Sequence, residues 1–139
     1  MIRHPRPMLE GHRVIIPGKP VRNVFSLASK GELWDKLADF INRYDLMREN
    51  ILICNFGMRQ TVPQVHFHVL NRNEFSLEQP QKKDVLWEDE HMVLTQNKNL
   101  YVPADCLSYS EVRRWIATCL PVMAPDEGSV IVYSGEVDQ

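Results

Sequence analysis

A chain of 139 residues, 44% of them hydrophobic, is long enough to bury one ordinary core and falls within the range of a single domain. Its formal net charge of -2 lacks the basic footprint that binding to the phosphate backbone of a long nucleic acid requires. No apolar run approaches the roughly 20 residues that cross a bilayer, and the first residues carry charge where a secretory segment is apolar, so a soluble protein is expected.

Taken in chain order, His12-Arg-Val-Ile-Ile-Pro17 is a short β-branched run closed by Pro and Gly18, which predicts a strand leading into a turn. Ser29-Lys-Gly-Glu32 has the form of a capping box. Leu33, Leu37, Phe40, Ile41 and Tyr44 then recur at helical spacing, predicting a helix from about Ser29 to Tyr44. Ile51-Leu-Ile-Cys54 predicts a buried strand, broken at Asn55-Phe-Gly57. Pro63 opens a further strand through Val65, Phe67 and Val69. Residues 71 to 84 are polar and aperiodic and read as a connection between two halves.

The second half repeats the grammar of the first. Val85-Leu-Trp87 and Met92-Val-Leu94 flank Glu88-Asp-Glu90 as a hairpin, and Leu100-Tyr-Val-Pro103 echoes Val14-Ile-Ile-Pro17. A second capping box, Ser108-Tyr-Ser-Glu111, precedes Val112, Trp115, Ile116, Cys119 and Leu120 at helical spacing. A last strand runs over Ser129-Val-Ile-Val-Tyr133. This order predicts one α+β domain over residues 1–139, with a mixed or antiparallel sheet of about five or more strands and two main helices. Cys54, Cys106 and Cys119 are an odd set without C-x-x-C spacing. They read as small buried hydrophobes in a reducing compartment, with the cytoplasm the expected location.

Side chains alternate along a strand, so in Gln64-Val-His-Phe-His-Val-Leu70 the residues Gln64, His66 and His68 share one face while Val65, Phe67 and Val69 share the other. The apolar set can pack against a helix, leaving an amide and two imidazoles in a row. Neutral imidazole is both a nucleophile and a proton carrier near pH 7, and two of them one pleat apart can divide attack from protonation.

This strand resembles that of the histidine-triad (HIT) superfamily, in which histidine alternates with hydrophobic residues. The likeness extends upstream: Gly11-His-Arg-Val-Ile-Ile-Pro17 resembles the family's Gly-His strand ending in Ile-Pro, Asn55-Phe-Gly57 its Asn-x-Gly turn, and Gln60-Thr-Val62 the Gln-Ser-Val before the triad. The region covered runs from about Gly11 to Arg72. The resemblance implies a nucleotide hydrolase or nucleotidyl transferase that acts on a phosphoanhydride or phosphoramidate without a metal or other cofactor. His66 would attack the α-phosphorus to form a nucleotidyl-imidazole, and His68 would contact the phosphate or leaving group. Asn55, Gln60 and Thr61 would supply hydrogen bonds to the phosphate. Ile15, Ile16 and Phe25 would line the nucleoside pocket, with His12 at the entry to its strand holding the loop beside the phosphate site.

Three features depart from the family pattern. Gln64 replaces the first triad histidine, and an amide can position a neighbour but cannot shuttle a proton near neutral pH; the Gln-Val-His-Phe-His form resembles a branch of the HIT hydrolases that carries glutamine here. Pro20 stands where many members carry another histidine. The family's opening hairpin resembles Val85-Leu-Trp-Glu-Asp-Glu-His-Met-Val-Leu94, which here follows the triad. Either the domain is permuted, or residues 85–139 form an eroded second unit beside the triad-bearing half at 1–72.

Other readings of the same residues stand beside these. His66 and His68 could be an inert strand face, or could chelate zinc with His12 or His91 as a third ligand. Trp34, Trp87 and Trp115 could stack on bases, but helix and strand positions favour packing. Glu88, Asp89 and Glu90 read as a solvated turn, and His4 carries no argument. The functional alternative to an enzyme is a catalytically decayed nucleotide-binding or scaffold subunit. A homodimer is expected, since an incomplete sheet leaves edges to cover.

Overall fold

The computed structural model describes residues 2–3, 12–73, 80–88, 92–106, 108, 110–111, 114 and 127–133. Among them are two α-helices, α1 (Val24–Ala28) and α2 (Gly31–Arg43). Eight strands form one mixed sheet: β1 (Ile2–Arg3), β2 (Arg13–Ile15), β3 (Asn50–Gly57), β4 (Phe67–Asn71), β5 (Val85–Glu88), β6 (Val93–Thr95), β7 (Asn99–Pro103) and β8 (Glu127–Tyr133). The spatial order is β1-β2-β4-β3-β8-β7-β6-β5, and the α+β architecture with a mixed sheet matches the expectation from sequence.

Every neighbouring pair is antiparallel except β7 with β8. Strand β4 lies between β2 and β3, antiparallel to both, so β2 and β3 run in one direction across it. The hairpin expected around 85–94 forms as β5 and β6, with an irregularity between Val85 and Trp87. The two parts of the sheet join where β3 and β8 pair over six residues, from Leu52↔Val132 to Gly57↔Glu127.

Period-2 alternation divides the sheet into two faces. Ile15, Leu52, Cys54, Phe56, Phe67, Val69, Leu94, Leu100, Val102, Val130 and Val132 form one buried cluster with Val24, Leu27, Trp34 and Ile41 of the helices. The apolar face expected of α2 packs here, with Leu33, Leu37 and Phe40 against the cluster. Trp34 is buried and Trp87 packs against the same core, so both act in packing; Trp115 lies outside the described residues. Cys54 is a buried free cysteine, and removal from water pushes its thiol pKa up, as befits a small hydrophobe. On the opposite face, Val14, Ile51, Leu70 and Ile131 are also buried and form an apolar floor beside the histidines.

Three local expectations are corrected. Asn55-Phe-Gly57 does not break the strand: β8 supplies a ladder for the backbone as far as Gly57, whose φ of 64° then starts the turn. The first capping box does not form. Ser29 ends α1 and its hydroxyl donates to the Ser26 carbonyl at 2.7 Å, while Lys30 precedes α2 without a side-chain cap bond. The triad strand begins at Phe67 rather than Gln64, because residues 62–64 bend. The second capping box forms in part, with Ser108 Oγ accepting from the Glu111 backbone N–H at 3.4 Å. The helix expected beyond it, with Val112, Ile116, Cys119 and Leu120, and the residues His4, Gly11, Asp89, Glu90 and His91 lie outside the described residues. No helix among the described residues is long and apolar enough to cross a membrane.

Candidate functional site

The alternation that buries Val65, Phe67 and Val69 turns His66 and His68 to the other face, where both are partly exposed. Their rings meet edge to face with centroids 4.9 Å apart. A third imidazole joins them from β2: His12 is 2% exposed, and its Nε2 lies 3.0 Å from His68 Nδ1. Three imidazoles therefore line up as His12, His68, His66, although Gln64 takes the first histidine position of the sequence motif.

The order of hydrogen bonds fixes one tautomer. His66 Nδ1 lies 3.0 Å from the Gln64 carbonyl oxygen, and a carbonyl only accepts, so Nδ1 carries the proton. The neutral ring then holds its lone pair on Nε2. The Gln64 side chain turns elsewhere, donating from Nε2 to the Pro17 carbonyl at 3.4 Å. What Gln64 gives His66 is thus its backbone carbonyl, and a side-chain role in proton transfer has no support in this contact.

Asn55 lies on the same face, one strand over. The β3–β4 register runs through Ile51↔Leu70 and Ile53↔His68, which sets Asn55 on the histidine face two residues along β3 from the partner of His68. On its other flank Asn55 faces Ser129 across the β3–β8 ladder, and Ser129 faces Asn99 across β7–β8. Ser129 Oγ and Asn55 Oδ1 are 2.6 Å apart. Arg59, in the turn after Gly57, reaches back over this row. Its Nη1 donates to Asn99 Oδ1 at 2.8 Å and to Ser129 Oγ at 3.2 Å, and its Nη2 donates to the Asn97 carbonyl.

The remaining expected residues occupy several settings. Gln60 donates its amide hydrogens to the Arg22 and Val62 carbonyls, the latter at 2.9 Å, and so braces the loop from inside. Thr61 is exposed on that loop. Ile15 and Ile16 line an apolar groove of about 190 Å³ with Pro17, Leu33, Leu37 and Phe40. That groove lies under α2 on the Phe67 side of the sheet, and neither His66 nor His68 lines it. Phe25, partly buried, packs edge-on against Phe56 with centroids 4.8 Å apart. Pro20 is exposed. Among the described residues no three His, Cys, Asp or Glu side chains are grouped to hold a metal ion.

Sequence reading missed Arg59, Asn99 and Ser129. Alternation along 129–133 does set Ser129 opposite the core-facing Val130, but nothing in the chain signals that β8 pairs with β3. Comparison with protein-family models, curated proteins and solved structures returns no match to this chain.

Proposed function

We propose that this chain is a nucleotide-binding domain of the histidine-triad type that cleaves a nucleoside phosphoramidate or phosphoanhydride through His66. The observation that carries the proposal is the bond from His66 Nδ1 to the Gln64 carbonyl, which leaves the Nε2 lone pair as the nucleophile beside a second imidazole. Nε2 attacks the α-phosphorus and forms an N–P bond as the bond to the leaving amine or phosphate breaks. His68, as imidazolium, gives its proton to the leaving group. Water then attacks the phosphorus, returning the electron pair to Nε2 and one proton to His68, so the ring and its neighbour end as they began. His12, hydrogen-bonded to His68, holds that ring in place through the cycle. A homodimer belongs to the same proposal.

A second reading, a nucleotide-binding subunit without turnover, is favoured by the commitments of Gln60 and Gln64. Both direct amide hydrogens at carbonyls of nearby loops, two from Gln60 and one from Gln64, and those hydrogens are then not offered to a phosphate. Hydrolysis of adenosine and guanosine phosphoramidates and of dinucleoside polyphosphates by wild type and His66→Ala separates the readings. The enzyme reading expects turnover that the substitution abolishes; nucleotide binding without turnover in either protein supports the second reading.

A further inference from the structure

We infer that Arg59 and Ser129 are positioning residues that lock the Asn55 side chain with its amide nitrogen turned away from β8 and toward the histidine strand β4, so that Ser129 of the second half of the chain sets the phosphate-facing donor of the first. The inference rests on the nucleotide reading given above for its ligand, and on hydrogen-bond logic for its geometry.

An asparagine amide can ordinarily sit in either of two orientations, since its oxygen and nitrogen are nearly equal in size. Here the contacts of Ser129 select one of them. A guanidinium has donors and no acceptor, so in the 3.2 Å contact between Arg59 Nη1 and Ser129 Oγ the hydroxyl oxygen accepts. The hydroxyl proton of Ser129 is then available for the 2.6 Å contact to Asn55 Oδ1. Arg59 is itself held at two further points, by Asn99 Oδ1 and the Asn97 carbonyl, which keeps its guanidinium over the hydroxyl. With Oδ1 held on the β8 side, the Asn55 amide nitrogen is directed away from β8, toward the side of β3 on which β4 pairs and His68 stands opposite Ile53. Two N–H donors in that place suit phosphate oxygens. The flipped amide would set a carbonyl dipole against them.

Ser129 is buried at 5% exposure and Asn55 is partly exposed, as a support and a ligand-facing group should be. Supporting residues of this kind change function by about 10- to 100-fold when removed. In this chain they come from β7, β8 and the β3–β4 loop, up to 74 residues away from the group they orient.

The test uses the whole chain and adenosine 5′-phosphoramidate. Ser129→Ala is expected to lower kcat by about tenfold while KM changes little, and Ser129→Thr, which keeps the hydroxyl, to recover most of that loss. Asn55→Asp keeps an acceptor for Ser129 and so should melt near the wild-type temperature. Its carboxylate opposes the phosphate, and the rate is expected to fall by about 10²-fold. A Ser129→Ala protein as fast as wild type overturns the inference and leaves the nucleotide reading intact. Wild type and His66→Ala that are equally inactive overturn the enzyme reading. Nuclear magnetic resonance of the Asn55 side-chain amide then judges the lock without any substrate. A distinct amide pair that moves to free-amide positions in Ser129→Ala supports it, and a pair that stays in place overturns it.

Discussion

His12 shows how little a residue's sequence neighbourhood says about its partner. It sits 56 positions from His68, and it joins the row of imidazoles at the His68 end, opposite the end that Gln64 occupies. Because His12 is almost fully buried, its removal leaves a cavity and strips His68 Nδ1 of its contact. His12→Ala is expected to lower stability by about 1–3 kcal/mol, measured by urea unfolding, and to slow any His66-dependent turnover. An unchanged unfolding midpoint would show that the imidazole pair contributes nothing. The placement of His66 and His68 on one face was legible from alternation alone. His12 was legible as a candidate beside them, but its contact with His68 was not, because cross-strand partners depend on register. Gln60 was legible as a site-loop residue but not in its role, since the carbonyls that take its amide hydrogens lie on Arg22 and Val62 and carry no sequence signal.

At the scale of elements, the helix cap distinguishes what a motif suggests from what the chain does. Asn23 caps α1 by accepting from the Ser26 N–H at 2.9 Å, whereas Ser29 closes that helix rather than opening the next. Asn23→Ala should therefore cost about 1 kcal/mol and Ser29→Ala markedly less, by thermal or denaturant unfolding. The reverse ranking would restore Ser29 as the cap of α2. A capping box is a local pattern, and the short helix immediately before α2 used the serine first. The periodicity of Leu33, Leu37, Phe40 and Ile41 survived this error because the apolar stripe answers to the whole core rather than to one hydrogen bond. The strands behaved likewise: their centres were legible, and their ends followed the ladders. Strand β3 outruns its apolar core because β8 pairs with it through Gly57, and β4 starts late because the loop bends at 62–64.

Across the whole molecule, the β3–β8 ladder decides the architecture. It joins the triad-bearing strands to the β5–β8 strands, and it carries the Asn55–Ser129 contact that couples them chemically. Gly128 makes the close approach possible. A Cβ there would stand 2.2 Å from Phe56 Cζ, 2.8 Å from its Cε1 and 2.9 Å from the Lys98 carbonyl oxygen. Gly128→Ala should destabilise by at least about 1–3 kcal/mol in chemical unfolding, because Phe56 is fully buried and the neighbour is backbone. A neutral result would mean the two strands sit farther apart than described. With β3 covered, the described sheet ends in β1 and β5, so any self-association through a sheet edge must use one of those strands.

In the proposed reaction His66 Nε2 is the atom that meets phosphorus. The direct measurement is peptide mass mapping of protein mixed with adenosine 5′-phosphoramidate and quenched in alkali, where a phosphorus–imidazole bond survives. An adenylyl adduct on the peptide that carries His66, absent from His66→Ala, is the predicted result. An adduct on another residue, or hydrolysis of the same rate in His66→Ala, would contradict it.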